Sequence, residues 1–534
     1  MEKLLNQLSE YGISLIANNA TIDIYDPQDK LTNDLLLEIK HNKGELLALL
    51  SNIRSQEYEE IPRVSDTDFY EMSSAQKRMY FLHEFDSSSM AYNLSHVIRV
   101  EGVLDIDRLQ ESLRKVVWRH ESLRTCFNWV DGEPFQFVRE DVDIDLVQFE
   151  STEADAEGIV RDFLRPFELS NPPLIRVGLI TLSAASHILI VDMHHIISDG
   201  VSLTIFVQEL MAIYNEEPLP PTVIQYKDFA AWQNHKRKQQ QYAEQRQFWA
   251  DEFSIEVPTL HLPIDFQRPR MRSFNGDVLS FEISSAETFA LKKLGDREGA
   301  TMFMLLLTGY NIMLHKLSGE NDIVIGTPIA GRQHVDLANV MGMFVNTLAI
   351  RNQLARDLSF KEFLLEIKKK ALQCFDNQGF QYDELIDELK LVRDTSRNPL
   401  FDFLFVYQNF EKPKLDIGDL SIRPFGSPQH VAKFDLTLSA QEVDGKLILS
   451  FEYATRLFKA ETIERFILYF KKLVATVVKN ENILIDEIDL LTESERKELL
   501  EDFNLTRVAY PLEETLVDLF EKQVESNGSS VAVI

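Results

Sequence analysis

At 534 residues the chain is too long for one ordinary core, and a composition of 45% hydrophobic and 26% charged residues is that of a folded protein. Its net charge of −30 argues against nucleic acid as the main partner, because binding phosphates needs a positive face. Two cysteines, Cys126 and Cys374, offer no disulfide framework and no cysteine-based zinc site; no run of about 18 uncharged apolar residues spans a membrane, and no N-terminal apolar core marks a secretory signal, so the cytoplasm is the expected location.

Residues 1–52 read as a module of their own. Leu4, Leu5 and Leu8 stand at helical spacing, with Gly12 as a C-cap. Short strands are predicted over 13–17 and 21–25, around an Asn18-Asn19 turn. A second helix is predicted over 32–50 through Leu35, Leu36, Ile39, Leu46, Leu47 and Leu50, weakened at Gly44. Such a unit is small for an independent core, which points to a binding or dimerising role. Residues 53–67 read as a polar linker. Two α/β halves follow, 68–245 and 246–490. The first carries a helix over 109–118, a buried strand over 187–193 and a helix over 201–214. A charged helical stretch over 234–253 precedes Leu262-Pro263-Ile264-Asp265, which cannot continue a helix. Residues 491–534 open with a capping signature at Thr492 and Glu495. They end in the apolar run Val531-Ala532-Val533-Ile534, which reads as an unfinished strand of a longer polypeptide.

Chemistry concentrates at Met193-His194-His195-Ile196-Ile197-Ser198-Asp199-Gly200. It places two histidines and an Asp-Gly pair between an apolar strand and a helix. Strand alternation puts His195 on the face of Leu189, Val191 and Met193, with His194 opposite. An imidazole there can handle a proton near neutral pH, and the free N–H groups of the following helix suit a developing oxyanion. Read alone, the pair fits a structural role as well as a base. Metal binding is not expected, because adjacent strand histidines face opposite ways and no His-Glu-x-x-His helix backs them. There is no Gly-x-Ser-x-Gly elbow. Gly326-Thr327-Pro328-Ile329-Ala330-Gly331-Arg332-Gln333 has P-loop glycine spacing without the lysine and hydroxyl that hold phosphate and magnesium. The basic stretches His235-Lys236-Arg237-Lys238 and Arg268-Pro269-Arg270-Met271-Arg272 fit solvated surface or a site for one phosphate.

The core His194-His195-Ile196-Ile197-Ser198-Asp199-Gly200 resembles the His-His-x-x-x-Asp-Gly motif of non-ribosomal peptide synthetase condensation domains. Supporting motifs occur in family order: Ser74-Ala75-Gln76-Lys77-Arg78-Met79-Tyr80; the stretch 119–127; Tyr226-Lys227-Asp228-Phe229-Ala230-Ala231-Trp232-Gln233; 325–332 with Gly342-Met343-Phe344-Val345-Asn346-Thr347-Leu348; and Arg393-Asp394-Thr395-Ser396-Arg397-Asn398-Pro399-Leu400-Phe401. The sixth motif departs, reading Asn377-Gln378-Gly379-Phe380-Gln381-Tyr382-Asp383 without the family's proline, which implies altered loop rigidity and not lost chemistry. Residues 1–52 resemble the αββα docking domains of the tubulysin type, and residues from about 504 resemble a truncated start of an adenylation domain.

This resemblance implies an α/β fold of two chloramphenicol-acetyltransferase-like lobes in a V-shaped pseudo-dimer, with a tunnel between them. It implies amide formation: the amine of a downstream carrier-bound aminoacyl group attacks an upstream carrier-bound acyl or peptidyl thioester. No cofactor is bound by the chain itself; 4′-phosphopantetheine arrives on the carrier domains. By the same resemblance His195 deprotonates or positions the amine and the Gly200 amide helps hold the oxyanion. Asp199 organises the site through a salt bridge to Arg119 or Arg124, and His194 is structural. The docking domain dimerises and receives the C-terminal tail of an upstream subunit, and an adenylation domain follows. The wording of the first and third motifs resembles the subtype joining an L-donor to an L-acceptor. Competing readings are an epimerisation domain, which shares the histidine core but acts on a carrier preceding it, and a non-catalytic carrier-docking platform.

Overall fold

The computed structural model describes residues 14–18, 21–25, 31–32, 35–36, 39–40, 42–43, 60–391, 394–408, 420–426, 431–506 and 513–531. Residues 1–65 and 66–534 form two compact units.

In the first unit, strands Ser14–Asn18 and Thr21–Tyr25 pair antiparallel from Ser14↔Tyr25 to Asn18↔Thr21. Asn18 therefore belongs to the ladder and not to the turn that the sequence suggests. The predicted second helix begins where expected: the Thr32 hydroxyl accepts the Leu35 N–H at 3.3 Å and its carbonyl accepts the Leu36 N–H at 3.0 Å. Leu35 and Ile39 are buried. The expectations for Leu4, Leu5, Leu8, Gly12, Gly44, Leu46, Leu47 and Leu50 lie outside the described residues.

The second unit is a mixed α/β fold. Its five-stranded sheet runs in the order Ser421–Pro424, Asn93–Glu101, Ser186–His194, Ile175–Ser183, Leu146–Glu150, antiparallel except for the last pair. A six-stranded sheet runs Gly276–Ile283, Lys446–Ala454, Leu436–Val443, Phe403–Gln408, Asp322–Ile329, Asn346–Gln353. A small sheet joins Tyr70–Glu71, Glu133–Val138 and Thr125–Val130. Each large sheet has its own core, one around Leu179, Leu189 and Phe206, the other around Tyr310, Phe405 and Phe451. The halves are not independent in sequence: Ser421–Pro424 leaves the second to pair with Asn93–Glu101 of the first.

Strand Ser186–His194 is buried on both faces, which explains why it reads as a near-continuous apolar run. Leu189, Val191 and Met193 join the core shared with helices Ile106–Arg119 and Gly200–Tyr214. Ile188 and Ile190 face the other way, onto Ala156, Val160 and Phe163 of helix Glu153–Phe163. The strand thus fixes the height at which His194 and His195 emerge. The stretch expected as one helix over 234–253 is two, Tyr226–Lys236 and Gln240–Glu252, separated at Arg237. The two pack on different partners: Tyr226 lies 4.9 Å from Phe344, whereas the Trp249 indole donates to the Asn377 carbonyl at 2.9 Å. The Thr492–Glu495 capping box opens helix Glu493–Leu500, as its sequence predicts. Among the described residues, no helix is long and apolar enough to cross a membrane.

Candidate active site

The strand ends at His194, one residue earlier than the alternation pattern needs, and His195–Ile197 forms a short 3-10 turn. His195 therefore owes its direction to this turn and not to the strand. Its backbone N–H donates to the Tyr92 carbonyl at 2.8 Å, and its Nδ1 donates to the Ser198 carbonyl at 2.8 Å. A carbonyl can only accept, so Nδ1 carries the proton and Nε2 is left as the acceptor. The ring is partly exposed. Burial, reinforced by the Lys433 cation, brings His195 down to about 4, so it is neutral at pH 7. His194 is buried. Its Nδ1 accepts the Ile196 N–H at 3.1 Å, and its ring stands edge-on to His83 and Phe167. Burial first, then His83, His195 and Lys433, bring it down to about 3.

Gly200 is the first residue of the helix behind the turn, and it is exposed. A side chain there would meet no atom within 4 Å, so open space lies above this helix N-terminus. Asp199, fully buried, is the N-cap: Oδ1 accepts the Ser202 N–H at 2.7 Å. Its ion-pair partner is Arg332, at 3.1 Å, and its Oδ2 also accepts the Phe344 N–H at 3.2 Å. Neither Arg119 nor Arg124 reaches it. Arg119 pairs with Glu209 at 2.9 Å, alongside His120 at 2.6 Å. The Arg124 guanidinium donates to the carbonyls of Val117, Trp118 and Arg139 and lies over the Trp118 ring. Arg119 is thus taken up by the helix behind the turn and Arg124 by carbonyls close to it in sequence, and the expected salt bridge is corrected to Asp199–Arg332.

Arg332 arrives from the segment linking two strands of the six-stranded sheet. Its guanidinium also donates to the Leu337 and Val340 carbonyls, each at 2.6 Å, and rests 4.0 Å above the Phe344 ring. Ser202 Oγ accepts the Gly342 N–H at 3.0 Å. Two glycines make this approach possible. Gly331 has φ +65°, and a Cβ on Gly342 would sit 1.8 Å from the Tyr226 ring. The glycines that resembled a P-loop therefore serve packing. Gly326 lies within a strand against Phe401, where a Cβ would come within 2.0 Å.

The match to known proteins accords with this geometry. Residues 66–500 match the family model described as Condensation domain. The chain belongs to the condensation-domain family. Residues 1–52 match a second model, the TubC N-terminal docking domain. Gramicidin S synthase 2 of Brevibacillus brevis is 42% identical over 489 residues, 92% of this chain and 11% of that protein. Surfactin synthase subunit 2 of Bacillus subtilis (strain 168) is 40% identical over 525 residues, 98% of this chain and 14% of that protein. The chain thus spans between a tenth and a seventh of the length of these relatives. The fold is that of a four-domain non-ribosomal peptide synthetase bound to AMP and glycine (TM-score 0.78, 22% identity, 88% of this chain and 37% of that one). It is also that of the first condensation domain of the calcium-dependent antibiotic synthetase in complex with a substrate analogue (TM-score 0.67, 20% identity, 80% of this chain and all of that one). Condensation domains are the amide-forming units of non-ribosomal peptide synthetases.

One group of this condensation domain escaped the sequence reading. Lys433 precedes strand Leu436–Val443, and its ammonium lies 4.9 Å from the centroid of the Tyr92 ring. Tyr92 is the residue whose carbonyl holds the His195 N–H. Burial brings Lys433 down to about 8, with Glu452 opposing and Arg78 adding to the fall. The available signal was a lone lysine inside Val431-Ala432-Lys433-Phe434, an apolar approach to a strand. The basic stretches are engaged elsewhere: Arg237 pairs with Glu384, Arg268 with Asp435, and Arg272 donates to Asn398.

Proposed function

We propose that residues 66–500 join an upstream carrier-bound acyl or peptidyl thioester to the amine of a downstream carrier-bound aminoacyl thioester. The observation that carries this reading is the fixed tautomer of His195. With Nδ1–H committed to the Ser198 carbonyl, Nε2 can only accept, as an incoming amine requires. The amine nitrogen attacks the thioester carbon and a carbon–nitrogen bond forms. The Gly200 N–H, heading a 15-residue helix, faces the developing oxyanion. The carbon–sulfur bond then breaks, and the departing thiolate, with an ordinary pKa of about 8.5, takes up the proton lost by nitrogen. A leaving group this good makes a covalent enzyme intermediate unnecessary. Orientation of the two thioesters can supply about 7–11 kcal/mol of the barrier, so His195 need only anchor the amine. His194 supports the turn.

The same reading extends to the partners. The 4′-phosphopantetheine arms belong to the carrier domains and enter as substrate. Residues 68–245 and 246–490 serve as the two lobes between which the arms meet. Residues 1–52 dimerise and take the C-terminal tail of an upstream subunit by strand addition, and residues from about 504 open an adenylation domain. Work in the cytoplasm, with an L-configured donor and acceptor, completes the proposal.

The test is His195→Ala in the full chain, with both carriers loaded and product read by mass spectrometry. Amide formation is expected to fall at least about a hundredfold. Undiminished amide formation would sink the role of His195. Deuterium exchange at the substrate α-carbon without amide would instead favour epimerisation.

A further inference from the structure

His195 faces an unbalanced set of charges. The nearest carboxylate in sequence, Asp199, has its oxygens occupied by Ser202, Arg332 and the Phe344 N–H, and it raises the ring less than Lys433 lowers it. His194, on the other side, is a neutral imidazole. The cation in range is Lys433, and its own surroundings fix it from both ends of its backbone. The Glu452 carboxyl accepts the Lys433 N–H, and the Asn398 side-chain amide donates to the Lys433 carbonyl at 3.2 Å. One residue earlier, the Ala432 N–H donates to the Phe274 carbonyl at 3.0 Å. The Lys433 side chain then leaves this clamp and sets its ammonium over Tyr92. Glu452 thus holds the lysine's backbone, and among the described residues no carboxylate hydrogen-bonds its ammonium.

We propose that Lys433 is a positioning residue that acts through its field. It adds to burial in disfavouring charge beside His195, and it makes the α-ammonium of the incoming aminoacyl thioester release its proton to water before the carbon–nitrogen bond forms. The inference rests on the amide-forming reading above.

The chemistry requires some such device. An α-amino group ordinarily has a pKa of about 7.7–8.0, so much of the acceptor arrives as ammonium, which cannot attack. An imidazole brought down to about 4 is too weak a base to take that proton. The surroundings that disfavour charge on His195, burial first and then Lys433, disfavour it also on an ammonium held against Nε2. The sign holds across pH. Below about 8 Lys433 is charged, and the field is present when the amine needs it. Above that value Lys433 and the amine both lose their protons, and the field is no longer required.

Single-turnover amide formation is measured from about pH 5.5 to 9 for the full chain, Lys433→Met and Lys433→Arg, with both carriers loaded. The midpoint of His195 is followed by NMR of histidine-labelled protein without carriers, its signal assigned by loss in His195→Gln. In Lys433→Met the His195 midpoint is expected to rise by about one unit. The acid limb of the rate moves up equally, giving about a tenfold loss near pH 6.5 and less than about twofold near pH 9. Lys433→Arg keeps both near wild type. A rate lowered by the same factor at every pH, or a His195 midpoint that does not move, overturns the proposal. If the wild-type chain makes no amide, the functional reading falls, and the His195 titration still decides whether Lys433 sets the charge on that ring.

Discussion

Helix Gly200–Tyr214 carries a buried acid near each end, and the two are satisfied in opposite ways. At the N-terminus Asp199 caps the helix and reaches 133 residues down the chain to Arg332, drawing a segment of the six-stranded sheet's half onto the histidine turn. Further along, Glu209 reaches back 90 residues to Arg119 and takes His120 as well, joining helix to helix inside one half. Asp199 receives N–H groups from the backbone of both halves; Glu209 receives two side chains from one. Acids and bases sharing a region need not share a network. Here one acid assembles the site, and the other assembles the wall behind it.

Removing each acid in turn separates the two roles. Asp199→Ala leaves the Arg332 guanidinium buried with its charge uncompensated and frees the helix N-terminus. A loss of about 3–5 kcal/mol in denaturant unfolding is expected, together with at least about a hundredfold loss of amide formation at temperatures where the variant is still folded. Glu209→Gln keeps the shape and loses the charge. About 2–3 kcal/mol of stability should go, while turnover per folded molecule stays within about threefold of wild type. Turnover abolished in Glu209→Gln, or preserved in Asp199→Ala, would reverse the assignment of the two ends.

The comparison also separates what a sequence carries from what it does not. The His strand and the helix after it are local, and follow from an apolar run and from the periodic apolar residues behind Gly200. The strands 14–18 and 21–25 are legible for the same reason, although Asn18 joins the ladder, because two adjacent asparagines allow either register. Asp199 and Arg332 were each visible but not their pairing. That depends on Gly331 turning with positive φ and on Gly342 lying against Tyr226, contacts that exist only once both halves are packed. Proximity in sequence favours Arg119 and Arg124, but Glu209 takes the first guanidinium and the Val117, Trp118 and Arg139 carbonyls take the second. Lys433 left still less trace, since its effect on His195 passes through space and not along the chain. The same limit split the stretch around Arg237: helical propensity runs through it, and only the separate partners of Tyr226 and Trp249 demand the break.

The smallest expected effect separates the two ends by pH. Burial, then Lys433, bring His195 down to about 4, below its ordinary value of about 6.5. Between those values the unfolded chain binds the proton that the folded one refuses, so this ring makes stability fall as pH drops from about 6.5 to 4.5. At the other end, burial pushes the Glu209 carboxyl up, but the hydrogen bonds and charges of His120 and Arg119 outweigh it and hold the group below its ordinary value. That contribution is present above about pH 4.5 and is lost only as pH falls through the folded value. The two ends therefore respond in different windows. Unfolding midpoints of wild type, His195→Gln and Glu209→Gln, compared at about pH 6.5, 4.5 and 3.5, should show His195→Gln gaining about 1–2 kcal/mol on wild type across the first interval. The wild-type advantage over Glu209→Gln should stay level there and shrink across the second. The other buried carboxyls that shift, Asp192, Asp383, Asp435 and Glu452, are common to all three proteins and cancel in the differences. A His195→Gln difference that is flat with pH would mean that the ring is not held neutral by its surroundings, and the contrast between the two ends would then reduce to packing alone.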